Sequence, residues 1–150
     1  MKALQDFLKN HPVIGLDTSL FIYHLEDHPR YSLLTEIIFN SMEKGINRGV
    51  TSYLTLMEIL VKPKTEGLLQ VARDYEYYLT TFPNLTFYEI GLEIARKASD
   101  LRALERIKAP DAIQLATAIL YEATAFLTND RTFERVKEID ILILDKLLKP

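Results

Sequence analysis

The sequence contains no cysteine. This absence excludes disulfide-stabilised scaffolds and zinc–thiolate sites. A chain of 150 residues buries about 68–70% of the surface that its unfolded form exposes, so a stable core does not require such cross-links. We expect one globular domain over residues 1–150, with a helical extension over residues 1–12 that docks on it.

The sequence also lacks a long uncharged segment. Its longest stretch without Asp, Glu, Lys or Arg runs from Tyr77 to Tyr88 and contains Pro83 and Asn84, whereas a membrane-spanning helix requires about 20 apolar residues. The first ten residues lack the continuous apolar core of a signal peptide. We therefore expect a soluble, cytoplasmic protein that does not contact a membrane.

Positive charge is not in excess. The 18 Lys and Arg residues are outnumbered by 21 Asp and Glu residues, and the net charge is −3. The overall charge therefore gives no argument for nucleic-acid binding, and any such activity requires a local site.

Short apolar runs bounded by turn residues alternate with segments in which apolar residues recur every three or four positions. The runs, which we predict to be strands, are 13–16, 49–52, 85–88, 125–128 and 141–144. The segments predicted to be helical include 33–42, 56–60, 90–101 and 113–120. This alternation predicts the α/β class, as a three-layer α/β/α sandwich with a central, mostly parallel sheet.

Four carboxylates stand where predicted strands meet helices. Asp17 directly follows the first strand and Asp130 follows the fourth. Glu58 lies in the segment after the second strand, and Asp111 begins the most apolar helix. Because ligands bind beyond the carboxyl ends of the strands in open α/β sheets, we expect these four side chains to converge.

Each acid also has a purely structural explanation. Asp17 and Asp130 suit helix caps or turns, and Asp111, which follows a proline, suits the first turn of a helix. Glu58 stands three residues after Thr55, which is the spacing of a capping box. The convergence of the four, and not any one of them, favours a function.

Converging carboxylates raise one another's pKa values unless a cation lies among them. A set of carboxylates without histidine or cysteine offers hard oxygen ligands, which suit Mg²⁺ or Mn²⁺ better than zinc or copper. Divalent cations held by Asp and Glu activate water and stabilise in-line phosphoryl displacement. The pattern therefore points to phosphodiester hydrolysis.

The segments around the four acids are 13–19, 51–60, 102–118 and 126–133. Together and in this order they resemble the PIN domain, named for the PilT N-terminus, and in particular the VapC-like toxin ribonucleases. The resemblance spans residues 13 to about 144. It implies an α/β/α sandwich and a Mg²⁺- or Mn²⁺-dependent endoribonuclease whose metal ligands and catalytic residues are Asp17, Glu58, Asp111 and Asp130.

The resemblance also implies roles for neighbouring residues. Thr18 or Ser19, and Thr128 or Asn129, would orient the carboxylates, as residues behind metal ligands generally do. Apart from the resemblance, four basic residues lie near Asp111 or Asp130 in the sequence and would as a group face RNA phosphates, although each alone is better explained as an ordinary solvated charge. They are Arg102, Arg106, Lys108 and Arg131.

The partners that the resemblance implies are an RNA substrate, a cognate antitoxin protein and a second copy of the chain in a homodimer. The sequence departs from the family pattern in its extension before Val13 and in a long helical stretch from Lys62 to Thr81.

Three other functions compete with a toxin. A stand-alone RNA-processing PIN nuclease would carry the same acids, so the sequence does not separate it from a toxin. A non-catalytic PIN-like binding protein would use the acids only as caps, which the presence of all four disfavours. A phosphatase of the haloacid-dehalogenase type would require a second Asp two residues after Asp17, where this sequence has Ser19.

Overall fold

A computed structural model describes residues 1–148 of the chain. Five strands form a parallel sheet with the order β3-β2-β1-β4-β5. The strands are β1 (Val13–Leu16), β2 (Arg48–Ser52), β3 (Leu85–Tyr88), β4 (Ala125–Thr128) and β5 (Asp140–Ile143). The five predicted strands are confirmed to within one residue at each end.

Seven α-helices and two short 3₁₀ helices occur within residues 1–148. The α-helices are α1 (Lys2–Asn10), α2 (Thr18–Leu25), α3 (Ser32–Glu43), α4 (Tyr53–Thr65), α5 (Leu69–Thr80), α6 (Leu92–Glu105) and α7 (Ala109–Leu120). The 3₁₀ helices are Arg131–Arg135 and Leu144–Leu147. None of the helices in this described part of the chain is long and apolar enough to cross a membrane.

The structure corrects two of the predicted helical segments. The stretch from Lys62 to Thr81 is two helices, because α4 ends at Thr65 and α5 begins at Leu69. Gly67 lies between them with φ +74°, the left-handed conformation in which glycine commonly ends a helix. Ile90 lies outside α6, which begins at Leu92, and its side chain is exposed.

The sheet separates two apolar cores. Ile14 and Leu16 of β1 point into the larger core, which also contains buried side chains of α1, α2, α3 and α5. The other core is formed by side chains of α6 and α7, with Phe126 and Phe133. Side chains alternate between the two faces along a strand, so Ile14 and Leu16 lie on one face of the sheet, whereas Phe126 lies on the other. The predicted three-layer α/β/α sandwich is confirmed.

Gly15 allows α7 to pack directly on the sheet. A Cβ atom at this position would lie 2.5 Å from the Cβ of Ala118 and 2.9 Å from the ring of Phe126. Real Cβ atoms do not approach other atoms this closely, so a larger residue would push α7 away from β1. The glycine therefore helps to set the position of the helix that carries Asp111.

The first helix is part of the main core. Leu4 is 0% exposed and Leu8 is 2% exposed. The side-chain amide of Asn47 donates to the carbonyl oxygens of Leu8 at 2.7 Å and His11 at 2.6 Å, which satisfies backbone groups at the end of the helix. The predicted N-terminal extension is thus a helix anchored by apolar burial and by Asn47.

The order of the strands positions a ligand site. The chain runs from β1 outward to β2 and β3, and it then returns to the other side of β1 to form β4 and β5. The direction of winding reverses between β1 and β4. In doubly wound sheets the crevice at this point, beyond the carboxyl ends of the two strands, is where ligands bind.

Candidate active site

The four predicted acids meet in one open cleft at the switch point between β1 and β4. Asp17 follows β1 and Asp130 follows β4, whose ends are paired through Leu16 and Leu127. Glu58 reaches the cleft from α4 and Asp111 reaches it from the first turn of α7. The other residues that line the cleft are Thr18, Ser19, Ile22, Tyr23, Pro110, Gln114, Asn129 and Arg131.

Asp17 is held in one orientation from both sides. Its Oδ1 accepts the backbone N–H of Thr18 at 2.9 Å, and its Oδ2 accepts the hydroxyl of Thr128 at 2.6 Å. Burial nevertheless raises the pKa of Asp17 from 3.8 to about 6, and the negative charges of Asp111 and Glu58 add to the rise, whereas the two hydrogen bonds lower it. A carboxylate with this balance gains from a nearby cation.

Asp111 is in a similar electrostatic position. Its pKa is raised, first by burial and then by the charges of Asp130 and Glu58, whereas Lys108 lowers it. Because the charges of the four acids act on one another, the cleft concentrates negative potential in one place.

Thr128 links two of the acids. While its hydroxyl donates to Asp17, its oxygen accepts the backbone N–H of Asp130 at 3.0 Å. Oδ1 of Asp130 in turn accepts the N–H of Thr132 at 2.9 Å and its hydroxyl at 2.8 Å. Asp130 therefore caps the following 3₁₀ helix and lines the cleft as well.

The capping-box interpretation of Glu58 is wrong. Helix α4 begins at Tyr53, and Ser52 caps it by accepting the N–H of Leu54. Thr55 is buried inside the first turn, and Oε1 of Glu58 accepts the hydroxyl of Thr18 at 2.6 Å. The Glu58 carboxylate is thus directed away from its own helix end and toward the residue that follows Asp17.

Two of the residues expected to orient carboxylates have different contacts. The side-chain amide of Asn129 donates to Tyr23 Oη at 3.2 Å, and its oxygen accepts the N–H of Asp145 at 2.8 Å. The hydroxyl of Ser19 is buried and has no hydrogen-bond partner within residues 1–148. In this structure Thr18 and Thr128 hold acids, whereas Asn129 holds Tyr23 against the C-terminal segment.

Sequence reasoning missed Gln114. Its side chain is 3% exposed and contacts the hydroxyls of Thr18, Thr55 and Ser52 beneath the cleft. A signal was present, because Gln114 is a polar residue in a mainly apolar helix and stands three positions after Asp111. Residues at this spacing share one face of a helix.

The four basic residues that were expected near RNA lie at different distances from the acids. Arg131 lines the cleft itself. Arg106 and Lys108 line a smaller depression beside it, together with Asp111 and Asp130. Arg102 lies farther out, where its Nε donates to the carbonyl of Ile107 at 3.3 Å.

The chemistry of the cleft suits a hard divalent cation. Its four carboxylates offer oxygen ligands, and the unpartnered Ser19 hydroxyl stands beside Asp17. Within the described residues, no three acidic or histidine side chains are close enough together to form a ready-made metal cage. The donor set therefore fits such an ion by chemical type.

The fold and the site together define the class of this protein. It is a parallel α/β/α sandwich with a cleft at its topological switch point, and four acids line that cleft. Comparison with known families shows which one. Residues 14–139 match the model of the PIN domain. The chain belongs to the PIN-domain family.

Solved structures with the same fold include three toxin–antitoxin complexes. VapBC2 from Rickettsia felis, bound to a DNA fragment from its promoter, matches with a TM-score of 0.69 and 19% identity, over 87% of this chain and 98% of the other. A toxin–antitoxin complex from Klebsiella pneumoniae matches with a TM-score of 0.64 and 22% identity, over 88% and 97%. DNA-bound VapBC from Salmonella typhimurium matches with a TM-score of 0.66 and 22% identity, over 88% and 97%. No curated protein matches the chain.

Proposed function

We propose that this protein is a Mg²⁺- or Mn²⁺-dependent endoribonuclease, and that it is the toxin of a toxin–antitoxin pair. The observation that carries the proposal is the convergence of Asp17, Glu58, Asp111 and Asp130, from four separate elements, in one open cleft. PIN domains are generally nucleases, and the similarity to chains of toxin–antitoxin complexes supports the biological role. A cytoplasmic location is part of the same proposal.

The four acids would hold the metal, and Asp17 is the best prepared of them. When bound, the ion supplies activation of water and stabilisation of the charge that develops on the phosphate. The Thr18 amide and the Thr128 hydroxyl both donate to Asp17 and therefore favour its ionised form, which is the form that binds a cation. The hydroxyl of Thr18 also donates to Glu58 and so holds a second carboxylate at the cleft.

Basic residues beside the acids would position the RNA. Arg131 in the cleft, with Arg106 and Lys108 in the adjoining depression, would pair with phosphates that flank the cleaved bond. Such contacts hold the backbone without reading its sequence. They also supply locally the positive charge that the net charge of −3 does not.

Two protein partners belong to the proposal. A cognate antitoxin would bind the chain and silence the nuclease, and a second copy of the chain would form a homodimer. The similarity to chains crystallised as toxin–antitoxin complexes supports the first of these.

The activity is tested by incubating the purified protein with RNA and Mn²⁺ or Mg²⁺, with and without a chelator. We expect cleavage that the chelator abolishes and that Asp17→Asn and Asp111→Asn reduce by at least 100-fold. Asp100→Asn, which changes an exposed carboxylate on α6, is the matched control and should cleave like the parent. Because traces of host ribonuclease imitate weak activity, all four proteins are purified in parallel. Cleavage that survives the chelator, or variants as active as the parent, would contradict the proposal.

The role as a toxin has a separate test. Induced expression of the parent in a bacterial host should arrest growth, and expression of Asp17→Asn should not. An active nuclease that leaves growth unchanged would favour the stand-alone RNA-processing enzyme. A folded protein that binds RNA without cleaving it under any metal condition would favour the non-catalytic binding protein.

A further inference from the structure

Gln114 lies at the centre of a buried polar cluster directly beneath the cleft. Its Nε2 donates to Oγ1 of Thr18 at 2.9 Å and also to Oγ1 of Thr55. Its Oε1 accepts the hydroxyl of Ser52 at 3.1 Å. The carboxamide therefore uses both of its N–H donors and its carbonyl, and it joins α7 to the beginnings of α2 and α4.

The orientation of the Gln114 amide follows from the charge of Glu58. An ionised carboxylate can only accept, so in the 2.6 Å contact the Thr18 hydroxyl is the donor to Glu58. The oxygen of Thr18 is then free to accept, so Gln114 must present its nitrogen to it. The hydroxyl of Thr55 contacts the same oxygen at 3.1 Å. With the amide reversed, Gln114 and Glu58 would compete for the one hydroxyl proton of Thr18.

The buried polar cluster reaches the cleft at one carboxylate, that of Glu58. Gln114, Thr55 and Ser52 are buried, and their hydrogen bonds run through Thr18 to Glu58, which is half-buried and lines the cleft. The hydrogen bond from Thr18 is the one that Glu58 receives within residues 1–148. Glu58 has a long, flexible side chain, so its orientation depends on this single donor.

We propose that Gln114 is a positioning residue for catalysis: through Thr18 it fixes the Glu58 carboxylate at the place in the cleft where it acts. This inference rests on the proposed nuclease function. Apolar packing alone would not require a glutamine here, because a methionine of similar volume would fill the same space, although it would remove the partner of the buried hydroxyls of Ser52 and Thr55. The arrangement is explained if the glutamine holds the Thr18 oxygen in the place from which its hydroxyl reaches Glu58.

The test combines activity with a double-mutant cycle. Gln114→Met, which keeps the side-chain length and removes the donors, should lower kcat for RNA cleavage by at least 10-fold and change KM by less than 3-fold. In a Glu58→Gln background the same substitution should lower kcat by less than 2-fold, because no carboxylate remains to be oriented. A merely structural loss would instead reduce activity equally in both backgrounds, and that result would overturn the inference.

Two further measurements keep the test decisive. Thr18→Val should lose about as much activity as Gln114→Met, whereas Thr18→Ser, which retains the hydroxyl, should recover most of that loss. This pair tests the step through Thr18 even if Gln114→Met does not fold. Thr117→Val is the control on the same helix, since the hydroxyl of Thr117 bonds only to the carbonyl of Ile113 within the described chain. Its kcat should equal that of the parent.

Crystal structures separate this inference from the proposed function. In Gln114→Met the contact between Glu58 Oε1 and Thr18 Oγ1 should be lost or the glutamate should occupy several rotamers, whereas in the parent it is kept. If the parent shows no metal-dependent cleavage of RNA, the proposed function fails, and the structures still decide whether Gln114 positions Glu58. An unchanged Glu58 in Gln114→Met would overturn the positioning role.

Discussion

The hydroxyl of Thr128 donates to Oδ2 of Asp17 across 2.6 Å, although the two residues are 111 positions apart in the chain. Thr128 ends β4 and Asp17 follows β1, which is paired with β4. Because the donor favours the ionised carboxylate, it opposes the rise in the pKa of Asp17 that burial causes. One side chain thus controls both the position and the charge of the central acid.

Removal of this hydroxyl should make the nuclease more sensitive to acid. In Thr128→Val the pKa of Asp17 loses a lowering contribution and rises further above about 6, so a smaller fraction is ionised at neutral pH. We expect the acid limb of kcat/KM against pH to move upward by about one pH unit, with the largest loss near pH 6.5 and partial recovery above pH 8. Profiles measured from pH 5.5 to 9 check this.

Thr117→Val is again the control, since it removes a buried hydroxyl from α7. Its pH profile should coincide with that of the parent. A uniform loss of activity in Thr128→Val at every pH would show that the hydroxyl acts on geometry alone.

Asp17→Asn should increase the stability of the metal-free protein while it abolishes activity. The pKa of Asp17 is about 6 in the folded protein against 3.8 for an unperturbed aspartate, so the folded state binds the proton more tightly. The stabilising contribution of this proton is complete below pH 3.8 and is lost as the pH rises through about 6. At pH 7.5 the ionised carboxylate costs at most about 3 kcal/mol, and the weakened contact with Thr128 offsets about 1 kcal/mol of the gain.

Urea unfolding in the presence of a chelator measures this difference. Asp17→Asn should unfold at higher urea than the parent at pH 7.5, and the two midpoints should converge near pH 4. A variant that is less stable than the parent at pH 7.5 would show that hydrogen bonds outweigh the buried charge.

Mn²⁺ should stabilise the parent and not Asp17→Asn. A ligand that binds only the folded state adds about 2.7 kcal/mol at 100 times its Kd, which corresponds to an increase in Tm of about 5–10 °C for a domain of this size. Thermal unfolding with and without Mn²⁺ measures the increase, and Asp100→Asn should show the same increase as the parent. Equal shifts in all three proteins would place the ion outside the cleft.

Helix α1 should contribute stability without contributing to catalysis. Leu8→Ala removes a side chain that is 2% exposed in the main core, and such truncations cost about 2–5 kcal/mol. The unfolding free energy should fall by this amount, while kcat for the protein that remains folded should stay within 2-fold of the parent. Lys9→Ala, an exposed neighbour on the same helix, should change neither quantity.

The strands were predictable because each is a short apolar run between turn residues, and all five lie within one residue of their predicted limits. The helical break at Gly67 was missed although Pro63 and Gly67, in a polar stretch of the sequence, are typical of a helix end, and the left-handed backbone of Gly67 follows the end of α4. The spacing between Thr55 and Glu58 also indicated a capping box, whereas the residue that caps α4 is Ser52.

The four acids could be chosen from the sequence because polar residues at the ends of parallel strands meet at one edge of the sheet. Of their supporting contacts, those of Thr18 and Thr128 were expected from the resemblance, whereas that of Gln114 was not. Gln114 and Thr18 are 96 positions apart in the chain. The local sequence does not determine in which direction a hydroxyl or a side-chain amide donates its hydrogen bond. Asn129 shows the same limit, because its partners, Tyr23 and Asp145, depend on how the C-terminal segment packs.

The hydrogen bond between Thr128 and Asp17 has a consequence for the synthesis of the protein. The chain leaves the ribosome from its N-terminus, at about 5–20 residues per second, and Asp17 emerges long before Thr128 and Asp130. A nascent or truncated chain that ends before β4 lacks the strand that completes the cleft beside β1. The cleft is therefore complete only after the chain has been translated through β4, which is most of its length.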